Sequence, residues 1–197
     1  MRANGERNME GRPLHSIHIG GVFAERSPAV VRTVLGSCIA VCLRDPNSQI
    51  GGMNHFMLPT GGKDESSARY GVQAMELLIN ACMRHGADRR MLEAKVFGGG
   101  HVLKIRESDG NVPKSNIRFA MEFLTTERIP IVSQDLGGYS AREVYFFTDS
   151  GRTLLKRLAP TGSGTHNPIA ALEAEERAEL RRFTRPAPVE DDNVTLF

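Results

Sequence analysis

Residues 32–59 read RTVLGSCIAVCLRDPNSQIGGMNHFMLP. Ile39, Val41 and Leu43 alternate as a strand does, and Arg44-Asp45-Pro46-Asn47-Ser48 is a turn-rich cluster, so the stretch is expected to fold back on itself as a β-hairpin. Cys38 follows Gly36-Ser37, where the backbone can bend and its N–H groups can converge, which places the thiol at the entrance of the first strand. His55 lies in the returning apolar segment MNHFML. The hairpin would therefore let the two side chains meet.

A thiol attacks as thiolate, and a neighbouring imidazole that takes its proton supplies a charge partner and a later proton donor, so the pair suits covalent acyl chemistry. The competing reading is structural: Cys38 as a small buried apolar residue and His55 as a satisfied core histidine. Two features weigh against it. Cys38 sits at an element boundary rather than inside an apolar run, and an unpaired imidazole in an apolar segment would be costly.

Working outward toward the N-terminus, AVVRTVL (29–35) reads as a strand that delivers the chain to Gly36, and SIHIGGVF (16–23) as a strand before it. His18, within the latter, carries no motif and is expected to be structural. Residues 1–14 are polar and rich in Gly, Arg and Asn, and are expected to form a flexible tail.

On the other side, Pro59, Gly61 and Gly62 break structure and open a solvated loop beside the site. A helix capped by Ser66 or Ser67 is expected to run to about His85 and end at Gly86, with Ala74, Leu77, Leu78, Ala81 and Cys82 toward the sheet and Gln73 and Asn80 on its polar face. Residues 92–97 form a strand running into Gly98-Gly99-Gly100, a run that permits close backbone approach. It lacks the Lys-Ser/Thr of a phosphate loop. His101 after it is a weaker candidate base than His55.

Asn116 to Arg128 reads as a second helix with Phe119, Ala120, Phe123 and Leu124 inward, followed by a strand from Ile129. Residues 141–147 and 152–156 form a final hairpin, and Asp135 with Arg142 is expected to hold the Gly137-Gly138 turn. The domain is expected to span 15–158. Residues 159–197 then hold a linker, a helix over 169–183 with too thin an apolar stripe to be central, and an acidic tail with a short apolar hook.

The chain's 197 residues, 40% hydrophobic, suit one domain with tails. A net charge of +2 with scattered arginines, 6% aromatic residues and no Trp give nucleic-acid binding no support. Three cysteines (Cys38, Cys42 and Cys82) with no CxxC pair fit neither a disulfide framework nor a zinc ribbon. Cys42 and Cys82 are expected to be packing residues. No stretch approaches the roughly 18 apolar residues of a membrane span. A cytoplasmic protein without membrane insertion, metal or cofactor is expected. Antiparallel turns interleaved with two helices suggest a mixed sheet or paired sheets with helices on one side, an α+β protein.

TVLGSCIAVCLRDP (33–46), GGMNHFMLP (51–59), KVFGGG (95–100) and the DLGG-x-x-x-R of 135–142 together resemble the chemoreceptor glutamine deamidase family, CheD, with its LGSC nucleophile motif and H-x-M-L-P histidine motif. The resemblance runs over 17–158. It implies an α-β-β layered sandwich with mixed or antiparallel sheets that shares its Cys–His deamidase arrangement with the cytotoxic necrotizing factor toxins. It also implies a cysteine-dependent protein-glutamine glutaminase in which Cys38 and His55 hydrolyse glutamine side chains on the cytoplasmic helical region of methyl-accepting chemotaxis receptors. Thr33 is the third member it implies. A CheC-type phosphatase is a further partner that it permits, and a non-enzymatic regulator binding receptors or that phosphatase is the alternative.

Overall fold

The structure is a computed structural model that describes residues 8–58, 65–102, 111–158 and 168–184. Among the described residues, ten strands form two sheets. The first has the order β1 (Asn8–Met9), β2 (Arg12–Ser16), β4 (Val30–Leu35), β9 (Ala141–Phe147), β10 (Thr153–Leu158). The second has the order β3 (Val22–Glu25), β6 (Ile50–Phe56), β5 (Ile39–Asp45), β7 (Glu93–Gly98), β8 (Ile131–Leu136). Most neighbours are antiparallel; β2 with β4 and β7 with β8 are parallel. The latter pair needs a crossover, which α2 (Val112–Thr126) supplies.

The layering follows from side-chain parity along β5. Ile39, Val41 and Leu43 point to one face, where they pack with Leu78, Ile79 and Cys82 of α1 (Glu65–Arg84) and Ala120 and Leu124 of α2. Cys38, Ala40 and Cys42 point to the other, where they meet Val31 and Leu35 of β4 and Val144 and Phe146 of β9. The result is helices, second sheet, first sheet: the α-β-β sandwich expected. Small residues on the inter-sheet face of β5 let the first sheet come close behind the site.

The hairpin of 39–56 forms as expected, with Ile39 opposite Phe56 and Asp45 opposite Ile50. The Asp45 carboxylate builds the turn by accepting from the Asn47 and Ser48 amides and the Ser48 hydroxyl. The final hairpin of β9 and β10 is also present.

Four local expectations change. Residues 8–14 are not a tail: β1 and β2 pair, and β2 adds to β4, with Arg12 bound to Asp149 at 2.7 Å, so edge pairing orders a polar segment that composition alone would leave free. The single strand expected over 16–23 is two, because the chain turns through Gly20 (φ +82°) and crosses from one sheet to the other. Leu77 faces solvent, and Met75, Leu78, Ile79 and Cys82 carry the buried stripe of α1. The second helix begins at Val112, not Asn116, because Asn111 caps it by accepting from the Lys114 amide and Pro113 suits its first turn. The loop expected from Pro59, the linker and the apolar hook lie outside the described residues.

Candidate active site

Gly36 and Ser37 carry the chain from β4 in the first sheet to β5 in the second. Every carbonyl of the segment 36–38 is tied down. The Gly100 amide donates to Gly36 O and the Gly99 amide to Cys38 O, both at 2.7 Å, and the Asn116 side-chain amide donates to Ser37 O at 2.8 Å. The other end of Asn116 accepts from the Leu58 amide at 2.8 Å, so one buried α2 residue joins the cysteine loop to the histidine segment. This is the use of Gly98-Gly99-Gly100: at Gly98 (φ +119°) a Cβ would run into the Cys38 carbonyl.

With the carbonyls fixed, the amides of Ser37 and Cys38 point to one place. Both donate to Glu176 Oε1, at 2.8 and 3.3 Å, and the Ser37 hydroxyl donates to Glu176 Oε2 at 2.9 Å. Glu176 belongs to α3 (Pro168–Thr184), the helix expected to be peripheral. Its apolar stripe is indeed thin, but Ile169 and Leu172 pack against Ala141, Val34 and Leu158 and seat Glu176, fully buried, over the cysteine loop. The Cys38 thiol lies within the electrostatic reach of that carboxylate. Cys38 is fully buried. Burial, and after it the Glu176 charge, pushes the thiol well above its ordinary pKa.

At the other end, register places His55 opposite Ala40 on the inter-sheet face, the face that also carries the Cys38 thiol. Thr33 reaches it from the facing sheet: its Oγ1 lies 2.8 Å from His55 Nδ1 and donates to the Ile17 carbonyl at 2.9 Å. Thr33 has one hydroxyl proton, and the Ile17 carbonyl takes it. The hydroxyl oxygen must therefore accept from Nδ1–H, which leaves the lone pair on Nε2. Nε2 is buried and has no hydrogen-bond partner among the described residues. Burial, and then the charge of His18, lowers the His55 pKa to about 3, so the imidazole is neutral. A neutral imidazole with a free, buried lone pair is an acceptor for a proton.

Thr33 and His55 are thus directly joined, and Cys38 shares their face without a thiol–Nε2 hydrogen bond in this conformation. His101 is set apart: its amide donates to Gly138 O at 2.7 Å and its ring lies beside Tyr139. His18 sits in the turn after β2, largely exposed, 3.5 Å from Glu175. Arg142 is fully buried and binds the Asp135 carboxylate at 2.5 Å and the Gly137 carbonyl, holding the Gly137-Gly138 turn as expected. Cys42 and Cys82 are buried packing residues. Sequence reasoning missed Asn116 and Glu176. A polar residue at a helix's buried face was the available signal for the first.

A thiol on a loop of converging amides, with a neutral imidazole bonded to Thr33 on the same face, is an arrangement that suits thiol-dependent chemistry at an acyl carbon. The family model described as CheD chemotactic sensory transduction matches residues 57–157. Among curated proteins, the chain is 42% identical over 182 residues to the probable chemoreceptor glutamine deamidase CheD of Bordetella petrii, covering 80% of this chain and 81% of that protein. It is 48% identical over 166 residues to the protein of the same name from Stenotrophomonas maltophilia strain K279a (84% and 79%), and 51% identical over 142 residues to CheD 1 of Dechloromonas aromatica (71% and 70%). The chain belongs to the CheD family.

Proposed function

We propose that this protein is a chemoreceptor glutamine deamidase, with Cys38 as nucleophile, His55 as general base and acid, and Thr33 as the residue that orients the imidazole. The observation that carries the assignment is the chain Ile17 C=O, Thr33 hydroxyl, His55 Nδ1–H, which leaves a buried, unpaired Nε2 on the face of the cysteine. In the reaction, Nε2 takes the thiol proton and the thiolate attacks the side-chain carbonyl carbon of a receptor glutamine. The amides of Ser37 and Cys38 receive the oxyanion. The imidazolium returns the proton to the departing nitrogen, ammonia leaves, and a thioester remains. Water, deprotonated by the same nitrogen, cleaves the thioester to glutamate and restores the thiol.

The substrates in this reading are the helical cytoplasmic regions of chemotaxis receptors, and the protein works in the cytoplasm. No helix among the described residues is long and apolar enough to cross a membrane. A second reading, a non-enzymatic regulator that binds receptors or a CheC-type phosphatase, is favoured by one observation, the occupation of the amide cradle by Glu176. Mass spectrometry of a receptor cytoplasmic fragment incubated with the protein separates them. Amide-to-acid conversion by wild type and none by Cys38→Ala is the enzyme; binding without conversion is the regulator.

A further inference from the structure

Glu176 is fully buried, and its partners are the Ser37 and Cys38 amides and the Ser37 hydroxyl, with no cation paired to it among the described residues. A buried carboxylate without a countercharge is expensive unless dense hydrogen bonding compensates it. Here every donor comes from the loop that must hold an oxyanion. The space is shaped for such an occupant: a Cβ on Gly36 would stand 2.9 Å from Glu176 Oε1 and 3.2 Å from both Oε2 and the Leu172 side chain. The neighbouring residue is anchored too, Glu175 accepting from the Ile19 amide at 3.1 Å.

A glutamate side chain whose oxygens rest on these amides beside the thiol is, in chemical terms, the product of glutamine hydrolysis. We propose that α3 is an internal occupant of the substrate site, docked in the pose of the deamidated product, so that the chain restrains its own turnover until α3 is displaced. This inference rests on the deamidase reading. It also specifies how substrate is presented: the reacting residue stays on an intact helix, with apolar residues four and seven positions before it, as Leu172 and Ile169 stand before Glu176. In α3 these two pack with Val34, Ala141 and Leu158. An incoming receptor helix must compete for the same place, and direct competition lowers apparent affinity by the fraction of molecules that are open.

The test restores the amide. In full-length Glu176→Gln the side-chain carbonyl oxygen can accept the same two backbone amides, and Cys38 faces an attackable carbon. Water enters, ammonia leaves, and the carboxylate of the native chain is regenerated. Peptide mass mapping of α3 over time should show this conversion, first order and independent of protein concentration, and absent in Cys38→Ala/Glu176→Gln. A receptor cytoplasmic fragment is assayed with the same preparations. If the fragment is deamidated while the amide introduced by Glu176→Gln persists, or if that amide converts at a rate proportional to protein concentration, internal docking is wrong. If neither is deamidated, the deamidase reading falls and this inference with it. As a second arm, Leu172→Asp in the otherwise native chain should release α3 and raise the rate on the fragment, about tenfold if the docked form is about nine-tenths populated. A rate at or below wild type, with the fold intact by circular dichroism, would overturn the restraint.

Discussion

The two ends of the site differ in how their polar groups are satisfied. At the cysteine end every carbonyl from Gly36 to Cys38 has a donor, and the Ser37 and Cys38 amides and the Ser37 hydroxyl all meet one carboxylate. At the histidine end the imidazole is held through Nδ1 while Nε2 is left buried and unpaired among the described residues. One end is occupied, the other waiting. In the proposed reading the contrast is that of a resting enzyme: the base is oriented and neutral, but the thiol it would deprotonate lies near Glu176, whose charge opposes a second negative charge on the sulfur.

The largest break in this comparison is Cys38→Ala. It should lower receptor deamidation on the order of 10⁴-fold or more, with the domain still folded, because it removes the only atom that forms the thioester. Turnover at the wild-type level would rule out covalent chemistry.

Thr33→Val comes next. It removes the acceptor of Nδ1–H, frees the imidazole to change tautomer, and leaves the partly buried Ile17 carbonyl short of a donor. Activity should fall roughly 10²-fold, with a stability loss of about 1–3 kcal/mol. A purely structural Thr33 would cost the stability and leave the pH dependence of Cys38 alkylation in an α3-released background where it was.

The pH response sharpens the contrast because the two ends have opposite signs. His55 in the folded protein has a pKa of about 3, below the ordinary 6.5, so between these values the unfolded chain binds a proton that the native protein refuses. Its contribution to stability is full above the ordinary value and is lost as pH falls toward 3. His55→Asn should therefore flatten the decline of Tm with acidification below about pH 6.5. Glu176 is shifted upward by burial, so α3 docking is strongest when the carboxyl is protonated and weakens as pH rises through the raised value. Hydrogen exchange of α3 should speed up over that upward range, and a flat profile would remove the carboxyl from the docking equilibrium.

The smallest effect belongs to the other cysteines. Burial holds the Cys42 thiol far above its ordinary pKa and pushes Cys82 up to about 12, as it raises Cys38, but Cys42 lies inside β5 and Cys82 inside α1, away from the loop of converging amides. Cys42→Ala and Cys82→Ala should keep the chemistry and lose about 1 kcal/mol of stability each. Loss of activity at Cys42 with unchanged Tm would reassign the nucleophile.

Much of this molecule is written locally. The alternation of Ile39, Val41 and Leu43, the Asp45 turn and the placement of Cys38 and His55 on two limbs of a hairpin follow from period and turn chemistry, which act over a few residues. The family's motifs add Thr33, but its bond to His55 joins two sheets, and no local pattern specifies which faces meet. Gly98 to Gly100 announce a close approach without naming the partner, which proves to be the Gly36 to Cys38 backbone. Asn116 is legible only once α2 is laid over the loop. Glu176 is the extreme case. In sequence it is one acid among several in a helix with a thin apolar stripe, and its contact with Ser37 spans 139 residues. Its role is set by the packing of Ile169 and Leu172, which chooses the acid that is buried, and by amide donors that exist only after two sheets have fixed the cysteine loop.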